Sequence, residues 1–293
     1  MNGKERLQRT LRCEVTDRVP WVPFVGCHGG ALLGMTATDY LRCEASLVRG
    51  VEAAIDRYHP DGIPVAFDLQ LEAEVLGCEL SWADQTPPAV RSHPLSNGGR
   101  LEDLRVPTPA CGRIKTVLAA ARRLTQAHED IAFYGLVTGP FTLALHLLGT
   151  DIFMQMFDAP DYVGRVMAFC RDVGIAMSGY YLDAGCSIVA MVDPMTSQIS
   201  ADQFREFVTP YATPIFAAIR ETGQMDDREM YQVFNMGHRL ELYCKPQAVS
   251  AILETCQSWH LEARIVGYTE KSGYDGREVV IKDHGQTLSY RSR

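Results

Sequence analysis

The sequence has 293 residues, 46% of them apolar and 22% charged, with a formal net charge of −8. That length supports one large or two ordinary domains with a real core, and the acidic balance argues against nucleic acid or an anionic membrane as partner. No apolar run nears the roughly 20 residues a bilayer span needs. The charged, amphipathic start, MNGKERLQRTLRCE, lacks a signal peptide's apolar segment, so a cytoplasmic protein is expected. The nine cysteines form no C-x-x-C pair and are odd in number, which suggests reduced thiols.

In chain order, Lys4 to Arg12 reads as a short polar helix. Val19 to Val25 reads as a short parallel strand, with Pro20 and Pro23 near its ends where a missing N–H is tolerable. It runs into Gly26-Cys27-His28-Gly29-Gly30, a turn whose glycines would let backbone approach a ligand. After Thr38-Asp39 as N-cap, Tyr40 to Tyr58 has helical spacing, with Leu41, Ala45, Val48, Val51 and Ile55 on one side. His59-Pro60-Asp61-Gly62 breaks it.

Ile63 to Phe67 is a second strand ending in Asp68, and Leu69 to Leu76 is a helix stopped by Gly77. Cys78 to Arg105 is an irregular excursion with a short hairpin. Ile114 to His128 is an amphipathic helix, and Ile131 to Val137 a third strand. Thr138-Gly139-Pro140 then opens an apolar helix to Gly149 that carries His146, and proline at a first helical position costs no hydrogen bond. A long helix runs from Pro160 to Tyr181, and Ser187 to Val192 is a fourth strand ending in Asp193. A last helix starts at Ser200, is interrupted by Pro210 and Pro214, and ends near Gly223.

Short apolar strands separated by helices make an α/β chain with a parallel sheet. Polar residues sit where strands end: His28, Asp68, Thr138 and Asp193. In a β/α barrel these share one rim, where ligands bind; a doubly wound sheet would also gather strand-end acids. Each candidate has a plain alternative. Asp68 is either functional or the N-cap of the following helix, and Asp193 opens an Asp-Pro turn. His28 lies in an exposed loop, and His146 is either a ligand contact or a core histidine. His93, His128, His260 and His284 are expected in solvent.

After Gly223 the pattern changes. Met230 to Tyr243 reads as strand, Pro246 to Trp259 as a helix with Val249, Ile252, Leu253 and Cys256 inward, and Ala263–Gly267 and Glu278–Ile281 as strands. The domains expected are thus 1–223 and a βαββ module over 224–293.

Residues 1–223 resemble the superfamily of uroporphyrinogen decarboxylase and methylcobamide:coenzyme M methyltransferases. The matching pieces are Glu5-Arg6, Asp17-Arg18-Val19-Pro20, Asp61-Gly62-Ile63 with Asp68, and Glu72-Ala73-Glu74-Val75-Leu76-Gly77. Gly139-Pro140-Phe141-Thr142-Leu143-Ala144, Asp193-Pro194 with Ser197, and Phe204 through Pro210-Tyr211 continue the match. The resemblance implies a TIM-type barrel, of which this chain would hold about four parallel strands. It puts the decarboxylase's catalytic aspartate on Asp68 and its substrate-contacting tyrosine on His146. His28, Gly29, His146 and Asp193 are the expected substrate contacts.

The decarboxylase branch carries an arginine after the first strand, and here that place reads Gly-Cys-His-Gly-Gly. A substrate with eight carboxylates needs cationic clamps, so the resemblance leans to the corrinoid-dependent methyltransferases. That branch holds zinc through a His-x-Cys pair after strand five. No such pair occurs in this sequence, so no family-type zinc site is expected and turnover could be lost. The ligand expected is a corrinoid or a tetrapyrrole. Four strands cannot close a barrel, so the tail or a second copy of the chain is expected to cover the open edge. Residues 225–293 resemble the end of the C-terminal domain of aminoimidazole ribonucleotide synthetase, the purine-pathway cyclo-ligase, through Glu229 to Gly237. The other function class open is a non-catalytic binding or fusion protein.

Overall fold

A computed structural model describes residues 1–12, 14–222, 244–258, 263–265, 267–270, 277–283 and 286–292. The chain falls into two compact units: residues 1–10 with 16–225, and residues 11–15 with 226–293.

In the first unit, α1 (Gly3–Leu11) carries Arg6, which sinks to 6% exposure. A guanidinium is buried only where carboxylates meet it. Arg6 grips Asp17 through Nε at 2.6 Å and Nη2 at 2.8 Å, and reaches Asp61 Oδ1 with Nη1 at 2.5 Å. Arg18 clamps both oxygens of Asp61, at 2.6 and 2.8 Å, and the Trp21 amide donates to Oδ2 at 2.7 Å. Burial would raise the Asp61 carboxyl, but Arg18, the Trp21 amide and Arg6 together hold it below the usual carboxylate range. The Asp-Arg and Asp-Gly pieces of the resemblance are therefore a structural clamp.

Residues 19–25 form no strand, contrary to expectation. Pro20 and Pro23 supply no donors, and the Trp21 carbonyl accepts from Asp61 N–H at 2.9 Å. The expected glycine-rich turn holds a single helical turn, α2 (His28–Ala31). The helix expected from Tyr40 is two, α3 (Ala37–Arg42) and α4 (Glu44–Tyr58), broken at an extended Cys43. Thr36, rather than Thr38, caps α3 by accepting from the Asp39 amide at 3.0 Å.

The strand β1 (Gly62–Pro64) follows, then α5 (Leu71–Val75). The excursion carries its expected hairpin, β2 (Leu80–Ser81) with β3 (Ala89–Val90). The helix α6 (Gly112–Ala127) buries Ile114, Val117, Leu118, Ala121 and Leu124, the helical spacing of its apolar residues. Next come β4 (Ala132–Thr138), α7 (Pro140–Leu148), α8 (Ile152–Asp158), α9 (Pro160–Asp183) and β5 (Ile188–Val192). Ser200 and Gln203 form a capping box on α10 (Ala201–Phe207), and α11 (Thr209–Thr222) contains Pro214.

Among the described residues the parallel sheet has three strands, in the order β1-β4-β5, where four were expected. Gly62 pairs with Ala132, and Tyr134 through Thr138 pair with Ile188 through Val192. β4 is buried along its whole length, as a central strand of a parallel sheet should be. Gly135 has its Cβ direction against Tyr181 of α9, so Phe133 and Val137 face the helix layer with it, while Tyr134, Leu136 and Thr138 take the opposite face.

In the second unit, α12 (Val249–Ser258) stands where a helix was expected, and Val249, Ile252, Leu253 and Cys256 are half-buried. β6 (Arg277–Asp283) pairs antiparallel with β7 (Gln286–Ser292). The partner of the expected 278–281 strand is thus the C-terminal segment. Residues 263–265 and 267 are not strand. The strand expected over 230–243, the Glu229–Gly237 signature, His260 and His284 lie outside the described residues.

Candidate functional site

The site is built where β1, β4 and β5 end. Asp68 follows β1 and is 4% exposed. It does not cap α5. Its Oδ1 accepts from the Gln70 amide at 2.9 Å, a local turn. Its Oδ2 receives Arg113 Nη1 at 2.7 Å, from the first turn of α6, and Arg113 Nε also reaches Glu74 Oε2 at 2.5 Å. The Arg113 guanidinium further stacks on the Trp82 ring, 4.8 Å from its centre, as does that of Arg42. Burial alone would lower Arg113's affinity for its proton; the Asp68 and Glu74 carboxylates more than offset this.

Asp193, at the end of β5, is committed to α7. Its Oδ2 accepts from the Phe141 amide at 3.1 Å, and its Oδ1 from the Thr142 amide at 2.7 Å and the Thr142 hydroxyl at 2.5 Å. Pro140 has no amide to satisfy, so one carboxylate covers the next two donors of the helix. A Cβ on Gly139 would collide with the Asp193 side chain, which is why this joint needs glycine. Burial raises the Asp193 carboxyl even so, with Thr142 and Phe141 opposing it.

His146 sits near the end of α7, half-buried, with its Nδ1 buried and without a hydrogen-bond partner. Burial, aided by His93, pushes its pKa down to about 4, so the ring is neutral at pH 7. The backbone carbonyls after it are capped by the excursion. His93 Nδ1 lies 2.8 Å from the His146 carbonyl, the Leu95 amide donates to the Leu147 carbonyl at 3.0 Å, and the Ser96 hydroxyl donates to the Leu148 carbonyl. His93 was expected in solvent; it is instead a cap for α7. His128 also leaves solvent, with a buried Nε2 3.8 Å from Glu52.

His28 is exposed and bonded through Nε2 to the Tyr58 hydroxyl at 2.6 Å. Gly29 does not hold backbone open for a ligand on its Cβ side. A Cβ there would stand 2.8 Å from the Tyr40 hydroxyl and 3.0 Å from the Gly50 carbonyl, so Gly29 is the crossing point of α2 and α4. Ahead of this turn, Phe24 is 73% exposed and meets Phe67 edge-on at 5.3 Å, leaving an aromatic pair beside Cys27 and Asp68. Burial, and then Asp68, raise the Cys27 thiol, which is therefore protonated.

Two residues of the rim were not singled out from sequence. One is Arg113. The other is Glu72, on α5, which is fully buried. Its Oε1 accepts from the Thr138 amide at 3.1 Å, and its Oε2 is 2.8 Å from the Thr138 hydroxyl. Among the described residues, no three His, Cys, Asp or Glu side chains are grouped to hold a metal ion. No helix among them is long and apolar enough to cross a membrane.

The uroporphyrinogen decarboxylase (URO-D) family profile matches residues 2–266. Methylcobamide:CoM methyltransferase MtbA of Methanosarcina mazei is 30% identical over 227 residues, covering 74% of this chain and 66% of that protein. Uroporphyrinogen decarboxylase of a Nostoc species is 26% identical over 174 residues, covering 56% of this chain and 49% of the relative. The structure of a methyltransferase from Methanosarcina mazei superposes with a TM-score of 0.69 at 21% identity, covering 75% of this chain and 67% of that one, which bears on fold alone. The chain spans 66% of the length of the first of these relatives.

Proposed function

The chain belongs to the uroporphyrinogen decarboxylase family, and from that premise we propose that it binds a corrinoid as a member of the methyltransferase branch. The observation that carries this is Arg113. The buried arginine at the rim already has two carboxylate partners, Asp68 and Glu74, and its unpartnered Nη2 is buried, so its charge is met before any polycarboxylate arrives. The exposed Phe24 ring, set edge-on against the half-buried Phe67, by contrast suits the flat, largely apolar face of a corrin ring. In this reading Asp68 fixes the rim in place of catalysing proton transfer, since both its oxygens are engaged. His146, neutral at pH 7 and half-buried on α7, is an uncharged ring for ligand contact in this reading.

Tetrapyrrole decarboxylation is the second reading, favoured by the decarboxylase relatives and by the place of Asp68 after β1. Titration with methylcobalamin and with uroporphyrin, followed by quenching of tryptophan emission, separates the two. The expected result is saturable quenching by methylcobalamin that weakens at least tenfold in Phe24→Asp. Tighter binding of uroporphyrin, or binding of neither, overturns the reading.

Our reading also holds that methyl transfer to a thiol is lost, because no His-x-Cys pair occurs in the sequence. Methylcobalamin mixed with the protein and coenzyme M should keep its spectrum. The division near residue 223, a cyclo-ligase-like tail, a cytoplasmic location and a second copy covering the β5 edge belong to the same proposal. The family match to residue 266 runs past that division, which weighs against a simple fusion there.

A further inference from the structure

We propose that Glu72 is a neutral carboxylic acid in the folded protein, and that it positions Asp68 by donating its proton to the Thr138 hydroxyl. Counting hydrogens leads there. Thr138 Oγ1 lies 2.8 Å from Glu72 Oε2 and 3.0 Å from the Leu69 carbonyl. A hydroxyl carries one hydrogen, and a carbonyl carries none. With Glu72 ionised, one of those contacts would set two acceptors face to face inside the protein. With Glu72 protonated, every group is satisfied: Glu72 Oε2–H donates to Thr138, Thr138 donates to the Leu69 carbonyl, and the Thr138 amide donates to Glu72 Oε1.

Burial agrees with the count. Glu72 is 0% exposed, and both its carboxyl oxygens meet Thr138. An ionised carboxylate so placed would lose its hydration with no cation to replace it. That burial raises its pKa to about 7, although the Thr138 amide and hydroxyl pull the other way.

The ionisable groups around it come from each neighbouring element. Asp68, in the turn before α5, is negative and disfavours a second charge. Tyr181 on α9 is held un-ionised by burial. Arg113 on α6 is spent on Asp68 and Glu74, and His146 on α7 is neutral. None of them supplies a positive partner.

The chain of bonds ties the Asp68-Leu69-Gln70 turn to the last residue of β4, so the Glu72 proton holds the Asp68 carboxylate at its place on the rim. The assignment does not depend on which ligand the rim takes. It also explains why a glutamate stands at a helix position otherwise occupied by core residues such as Leu71 and Ala73.

The test is Glu72→Gln, whose amide reproduces the acceptor and donor of the neutral acid. A group with a raised folded pKa favours folding below its unfolded value, about 4.3, and loses that contribution as pH rises through the folded value. Denaturant unfolding should therefore show the wild type's folding constant falling relative to Glu72→Gln by about tenfold per pH unit between roughly pH 4.5 and 7. Protection of the Gln70 and Thr138 amides, taken relative to the intrinsic exchange rate at each pH, should fall over the same range in wild type and not in the variant. If the variant fails to fold, infrared spectra of wild type at pH 6 must show a protonated carboxyl band that shifts on 13C-glutamate labelling, which separates it from Asp193. A pH-independent difference between the two proteins, or no such band, overturns the proposal.

Discussion

Asp193 Oδ1 stands 2.7 Å from the Thr142 amide, so the residue ending β5 caps the helix that follows β4. Neighbouring strand ends are thus locked through a helix terminus. Asp193→Ala should cost about 2 kcal/mol, the upper part of the range for lost caps, because two amides and a hydroxyl lose their acceptor together. Asp193→Asn should recover part of this. Urea unfolding measures both, and a stable Ala variant would mean the contact carries no energy.

Arg113 makes a sharper case. Arg113→Met leaves Asp68 ionised, buried and without its cation, for which a loss of about 3–5 kcal/mol is expected. Arg113→Lys should rescue little, since one ammonium cannot meet both Asp68 and Glu74 in the fork the guanidinium uses. The double variant Arg113→Met with Asp68→Asn should be more stable than the single one. Thermal unfolding of the three proteins decides the matter.

His146 titrates in the opposite sense to Glu72. Its folded pKa, about 4, lies below the ordinary value of 6.5. Its contribution is therefore present above pH 6.5 and is lost as pH falls through 4. The span corresponds to roughly 3 kcal/mol. Stability of wild type measured against His146→Gln should fall on acidification across that range. The slope should oppose that of Glu72, so that each single variant exposes the other group's dependence. Histidine 15N shifts showing a charged ring at pH 6 would contradict this.

His93 offers a cheaper test of how the excursion serves the rim. Removing its ring with His93→Ala withdraws a donor from the His146 carbonyl, at a cost of about 1 kcal/mol. A mutation at Ser96 should add to it. Amide exchange in the last turn of α7 reads the effect directly, and unchanged protection there would show that the loop is only draped on the helix.

The helices and the central strands were legible because their apolar spacing is regular, as in α6 and β4. Asp68 and Asp193 were legible as strand-end acids. What occupied them was not, because the partners lie far along the chain: Arg113 is 45 residues from Asp68, and Thr142 is 51 from Asp193. Gly29 shows a different limit. A glycine chosen for helix contact and one chosen for ligand approach look alike until the neighbour, here Tyr40, is known. Glu72 was visible only as part of a motif. Its signal was local, a charged residue between Leu71 and Ala73 on a helix whose start faces the core.

The clamp on Asp61 has a bearing on how the protein is made. Arg6 and Arg18 leave the ribosome before their shared acid, by 55 and 43 residues. Arg6 meets Asp17 only 11 residues on, whereas its pairing with Asp61 must wait until residue 61 has been synthesised. It then closes a long loop, whose entropic cost grows only slowly with length. A shortened chain beginning at Val19 would strip both guanidinium groups from an acid that is 2% exposed, so those early residues are part of the interior they help to close.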